Sequence, residues 1–115
     1  MRVAPLCRQG VAVVPRVHGA FSAWQRLRGL LFRPRLAADG SEALMLSPCS
    51  NIHTFGMAYP LDLVYLDRGG TVIGLRENVR PWRASYQRGA KATVELHGGA
   101  LKALDIRVGD VLQWQ

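Results

Sequence analysis

The stretch Leu61-Asp-Leu-Val-Tyr-Leu66 constrains this chain more than any other segment. It reads as a strand that is apolar on nearly both faces. Asp67-Arg-Gly-Gly70 follows as a four-residue turn, and Thr71 to Leu75 returns as the second arm of a hairpin. On an extended backbone Asp62 shares a face with Val64 and Leu66, while Leu61, Leu63 and Tyr65 take the other. A carboxylate heading such a strand is costly unless it is paired or hydrogen-bonded. Asp62 therefore either accepts backbone N–H groups and fixes the preceding loop, or is a partly buried carboxylate at a site.

The other segments fill in a β-rich frame. Val11 to Val17 is rich in β-branched residues and fits a strand, as do Ala43 to Leu46, Ala92 to Leu96 and Val111 to Trp114. Residues 20–31 read as one helix. Ser22 is its cap, Ala23, Trp24, Leu27, Leu30 and Leu31 form its inward face, and Gln25, Arg26 and Arg28 face out. A further turn of helix is expected near residues 100–104. Residues 1–10 lack sustained periodicity and read as a loose lead-in to a single globular domain over residues 11–115. The fold class expected is α+β and β-rich, a small curled sheet or partial barrel of five to six short strands.

Composition narrows the function classes. Among 115 residues 49% are apolar, which excludes global disorder, and no run approaches the ~18 apolar residues of a membrane span. The net charge of +7 is concentrated in two segments. Arg26, Arg28, Arg33 and Arg35 contribute +4 with no acid between them, and residues 76–91 contribute another +4 through Arg76, Arg80, Arg83, Arg88 and Lys91 against Glu77. Brought together they make one anion-attracting surface; apart, they are solubilising charge. Two cysteines, Cys7 and Cys49, are too few for a disulfide-stapled secreted domain of this size. Arg8, Gln9 and Pro15 break up any signal-peptide core, so a cytoplasmic location with reduced thiols is expected.

The loop from Pro48 to Met57 is dense in reactive side chains. Cys49, His53 and Asp62 are the types needed for a nucleophile, base and orienting acid, although no oxyanion-hole motif accompanies them. Cys49, His53 and His97 supply three potential zinc ligands where a structural site needs four, so neither a metal nor a cofactor is assigned. Trp82 and Tyr86 lie among the arginines of residues 76–91, a combination that suits single-stranded nucleic acid. No ribonucleoprotein-type motif or zinc finger backs it.

Three groups of residues resemble a known family. Gly29-Leu-Leu-Phe-Arg33 with Leu36 resembles the opening signature of the domain of unknown function 192 family. Ile52-His-Thr-Phe-Gly-Met57 with Pro60-Leu-Asp-Leu-Val-Tyr-Leu-Asp67 resembles its central motif. Val94-Glu-Leu96 with Gly99, and Gly109-Asp-Val111, resemble its closing segments. The resemblance runs over about residues 11–114 and implies a compact β-rich domain, widespread in bacteria and archaea, with no established activity. Many relatives are exported behind a signal sequence, which this chain does not resemble. By position Arg33, His53, Thr54, Met57 and Asp62 match signature places of the family.

The leading expectation is a small, non-enzymatic binding module. Its site would be the His53 to Asp62 segment, lined by Arg33, His53, Thr54, Met57, Asp62 and Arg80, for a small anionic ligand or an acidic protein surface. The alternatives are nucleic-acid binding through Arg26–Arg35 and Arg76–Lys91, and a cysteine-dependent hydrolase using Cys49 and His53.

Overall fold

A computed structural model describes all 115 residues. Seven of its nine strands form one curled sheet and the other two form a small separate ladder. In chain order the elements are β1 (Val3–Arg8), β2 (Val11–Ala20), α1 (Ala23–Arg28), β3 (Glu42–Leu46), β4 (Asn51–His53), β5 (Leu61–Leu66), β6 (Val72–Val79), β7 (Ala84–Tyr86), β8 (Ala92–His97), α2 (Leu101–Leu104) and β9 (Gln113–Trp114). The large sheet runs β6-β5-β8-β3-β2-β1-β9, with β4 and β7 paired apart from it. All its neighbours are antiparallel except β2 and β3. The two edges meet, because Thr71 bridges to Val111 and Leu112 N–H donates to Gly70 C=O at 2.9 Å. Gly70 at φ +86° makes this seam possible, since a Cβ there would collide with the carbonyl of Leu112. The result is the β-rich α+β partial barrel expected, with more strands.

Alternation along the strands divides the apolar residues into two layers. Leu6, Val14, Val17, Met45, Val64, Leu66, Val94 and Leu96 turn inside the curl, where Leu101 and Ile106 join them. Leu44, Leu46, Leu61, Leu63 and Tyr65 point outward and are covered by Leu30, Leu36, Ile52 and Tyr59. This double cover explains why every residue of β5 is buried.

Two expectations are corrected. Residues 1–10 are not a loose lead-in: β1 lies between β2 and β9, and Arg8 is tied to Asp110 at 2.8 Å. The helix is also shorter than residues 20–31. Ser22 caps it as expected, in a capping box with Gln25, but Gly29 at φ +54° ends it after Arg28. Nothing packs over its expected inward face, so Trp24 and Leu27 are each 69% exposed, and only Leu30, beyond the helix, is buried.

Candidate functional site

β8 runs through the middle of the large sheet, and its alternation sends Ala92, Val94 and Leu96 inward and Thr93, Glu95 and His97 outward into the second apolar layer. Two of these three polar residues are satisfied there. The Thr93 hydroxyl donates to the carbonyl of Cys49 at 3.0 Å, and His97, stacked on Tyr59 with ring centroids 4.9 Å apart, donates from Nδ1 to the Gly98 carbonyl at 2.9 Å. Glu95 lies opposite Leu44 on β3 and Leu63 on β5, is 4% exposed, and receives no hydrogen bond from the chain. Burial pushes its carboxyl up to about 8, so near neutrality it is held mostly as the acid.

Glu95 is the one acidic side chain in the wall of a cavity of about 350 Å³ between α1 with residues 29–31 on one side and residues 48–57 on the other. Leu30, Leu46, Ile52 and Leu61 supply much of the apolar lining, and Arg26 and Arg28 bring two half-buried guanidinium groups to it. Each arginine is anchored to backbone carbonyls. Arg26 Nη1 donates to Phe21 at 2.6 Å, and Arg28 donates from Nε to Leu31 at 3.0 Å and from Nη2 to Phe32 at 3.1 Å. A guanidinium carries five donors, so each keeps several for another acceptor. Cys49 also lines the cavity. Burial raises its thiol, which donates to the carbonyl of Asn51 at 2.9 Å, and its electrostatic neighbours include both Glu95 and Arg26.

The structure divides the residues proposed from sequence. His53 and Met57 line this cavity. Arg33 lies in an adjoining recess with Leu30 as the common wall. Its Nε donates to Gly29 C=O at 2.7 Å, and its pKa is lowered by burial and by the neighbouring charge of Arg28. Thr54 is fully buried and acts as a clasp. Its hydroxyl donates to the Arg80 carbonyl at 2.6 Å and accepts from Arg83 N–H at 2.9 Å, fixing the loop before β7. Arg80 stands exposed in that loop beside Arg76 and Arg83. Asp62 is on the opposite face of the sheet from the cavity. Fully buried, it accepts Asn78 N–H on one oxygen and Leu101 N–H on the other, both at 2.9 Å.

Cys49 and His53 share the cavity but no hydrogen bond. The His53 ring stacks on Phe55 at 4.7 Å, and its Nδ1 accepts the Phe55 N–H at 3.3 Å. Phe55 in turn stacks on Trp82 at 5.7 Å, so His53, Phe55 and Trp82 form an exposed ladder of three rings beside Arg83. His97, the third zinc-ligand candidate, is held against Tyr59, and no cluster of metal-ligating side chains forms.

Sequence reasoning missed Glu95. Its signal was present all the same: a carboxylate alternating with Val94 and Leu96 on an apolar strand, the same argument that singled out Asp62.

The model of the DUF192 family, described as an uncharacterized ACR, matches residues 6–114. The chain belongs to that family. Among its DUF192 relatives, a UPF0127 protein of Thermococcus sibiricus is 29% identical over 106 residues, covering 87% of this chain and 66% of that one. A Pyrococcus furiosus UPF0127 protein is 33% identical over 92 residues, 78% of each chain. The chain spans 66% of the length of the Thermococcus relative and 56% of that of a Pyrococcus abyssi one. Two solved structures share the fold. A Novosphingobium aromaticivorans protein of unknown function superposes with a TM-score of 0.80 at 22% identity, over 97% of this chain and 85% of its own. A Sinorhizobium meliloti protein described as a putative transcription regulator superposes at 0.76 and 24% identity, over 86% and 81%. No helix of this DUF192 chain is long and apolar enough to cross a membrane.

Proposed function

We propose that this chain is a small binding module whose site is the cavity between α1 and β4, and that it holds its ligand through an anionic group at Arg26 and Arg28. The observation that carries this reading is a recess of about 350 Å³ with two half-buried guanidinium groups in a mostly apolar wall. Small-ligand sites have this make-up, apolar lining with a few placed polar groups, at the lower end of their usual volume. Guanidinium groups suit carboxylate or phosphate oxygens. His53 and Met57 contribute to the wall, and Arg33 adds positive potential from next door. An acidic protein surface is the less favoured occupant, because the arginines stand in a recess and not on a flat face.

The test is an amide chemical-shift titration with pooled anionic metabolites, followed by the pool's binder against an Arg26→Ala/Arg28→Ala protein. Shifts clustered on residues 26–31 and 49–57, with affinity at least 10-fold weaker in the double variant, are expected. Unchanged affinity in the variant overturns the reading.

One further observation favours a second reading. The His53–Phe55–Trp82 ladder is an exposed stacking platform flanked by arginines, which suits unpaired bases. A short single-stranded oligonucleotide would then shift residues 53–55 and 80–86, with an affinity that falls steeply with salt. A flat salt response removes this reading.

A further inference from the structure

We infer that Glu95 makes the cavity specific for a small zwitterion, a molecule whose protonated nitrogen meets the Glu95 carboxyl while its anionic end meets Arg26 and Arg28. The inference deepens the proposed function and rests on it for the anionic end; the cationic end stands on Glu95 alone. Three observations carry that end. The residue is buried, with 4% of its surface exposed, yet it borders the cavity. It has no hydrogen-bond partner in the chain. No cation of the protein compensates it either. The titratable groups that feel it are Cys49, Tyr59 and Tyr65, all raised by burial and therefore uncharged at pH 7, whereas the arginines lie toward α1. Buried polar side chains in folded proteins are nearly always satisfied, so one left open toward a cavity marks where a ligand atom completes the bond.

The chemistry follows from the acid's state. Burial keeps Glu95 protonated without a ligand. An incoming ammonium or amidinium supplies the opposite charge that the site lacks, so the carboxyl ionises and its proton leaves to solvent. No covalent bond changes; a neutral acid and a cation become an ion pair plus a released proton. Uncharged amines would take up the same proton directly and reach the same pair.

The experiment uses the full chain and a probe series of ω-amino acids from β-alanine to ε-aminocaproate, the matching fatty acids without nitrogen, and the matching alkylamines without carboxylate. Affinity is read from amide shifts, and proton release at pH 7 from calorimetry in two buffers of different ionisation enthalpy. One ω-amino acid length is expected to bind at least 10-fold tighter than its fatty-acid and alkylamine counterparts, releasing close to one proton. In Glu95→Gln the proton release and the advantage over the fatty acid should both vanish.

Fatty acids binding as tightly as amino acids, with no proton released, would overturn the zwitterion and leave the anion pocket standing. Alkylamines binding as tightly as amino acids would remove the anionic end and leave the Glu95 end. Silence across the whole series would overturn the zwitterion. A carboxyl-carbon NMR titration of Glu95 in the parent protein tests the same point without any variant. A midpoint in the ordinary glutamate range would overturn the inference.

Discussion

Asp62 and Glu95 sit on neighbouring strands one register step apart, with Leu96 opposite Asp62 and Leu63 opposite Glu95, and they face opposite sides of the sheet. Both are buried carboxylates in apolar strands, and in sequence they look alike. The difference lies in what each finds. Asp62 points toward the end of the curl where β6 bends away and α2 begins, and both places offer unpaired backbone N–H groups. Glu95 points into a layer of side chains, where the backbone is already consumed by the β3 and β5 ladders. One carboxylate is a structural tie, the other an unfilled valence. A buried charged group is thus read by the donors within its reach, and burial alone does not distinguish the two roles.

The largest expected effect tests the tie. Asp62→Ala removes the acceptor for a buried N–H of Leu101 and a part-buried one of Asn78, and charge-assisted bonds of this kind contribute about 1.5 to 3 kcal/mol each. A loss of about 4 kcal/mol is expected in urea unfolding, with a fall in Tm of roughly 15 °C. A loss below ~1 kcal/mol would place Asp62 among groups with nothing to hold, and the contrast with Glu95 would collapse.

The next effect tests the other carboxylate through pH. Glu95 has its folded pKa raised from 4.5 to about 8, so between those values the unfolded chain has released a proton that the folded chain still holds. Its contribution to stability is therefore fully present below about 4.5 and is lost as pH rises toward and through about 8. From pH 5 to pH 8 the parent should lose on the order of 3 kcal/mol more than Glu95→Gln does, measured by urea unfolding of both proteins. Parallel pH profiles would mean that Glu95 has found a partner after all. The two carboxylates would then differ in degree only.

Much of the fold was legible because its turns are written locally. The Asp67 to Gly70 turn, with the Asp67 side chain accepting Gly69 and Thr71 N–H groups, fixes the β5–β6 hairpin from within a dozen residues. β1 was not legible, since Pro5 and Arg8 break its pattern and bulges between Ala4, Leu6 and Cys7 upset its alternation. β1 forms because β2 and β9, the latter a hundred residues away, supply its hydrogen bonds. β4 and β7 have three residues each, too short for a period to show. At the site, His53 and Met57 could be read from the family's central motif. Placing Asp62 or Glu95 required knowing which face of the sheet ends in free N–H groups, and that is a property of neighbouring strands.

Thr54 extends the contrast to the loops. Like Asp62 it is fully buried and spends its polar atoms on backbone, the Arg80 carbonyl and the Arg83 N–H. Thr54→Val keeps the shape and leaves both groups unmatched, at a cost of about 2 kcal/mol. Amide exchange should quicken in residues 80–86 while β5 and β8 stay protected. Uniform loss of protection would show that the clasp belongs to the global fold and not to the loop.

The smallest effect concerns α1, where periodicity alone would place Trp24 and Leu27 in the core beside Leu30. Six residues make less than two helical turns, and Gly29 ends the helix before its stripe meets the sheet. Leu30, already outside the helix, is the residue that enters the second layer. Trp24→Ser and Leu27→Ser should each change stability by less than ~0.5 kcal/mol, whereas Leu30→Ala should cost about 2 to 4 kcal/mol. Urea midpoints of the three proteins decide it. Losses near 2 kcal/mol for Trp24→Ser would mean that α1 is longer and packs inward. It would then close over the Glu95 cavity, with Arg26 and Arg28 turned to solvent.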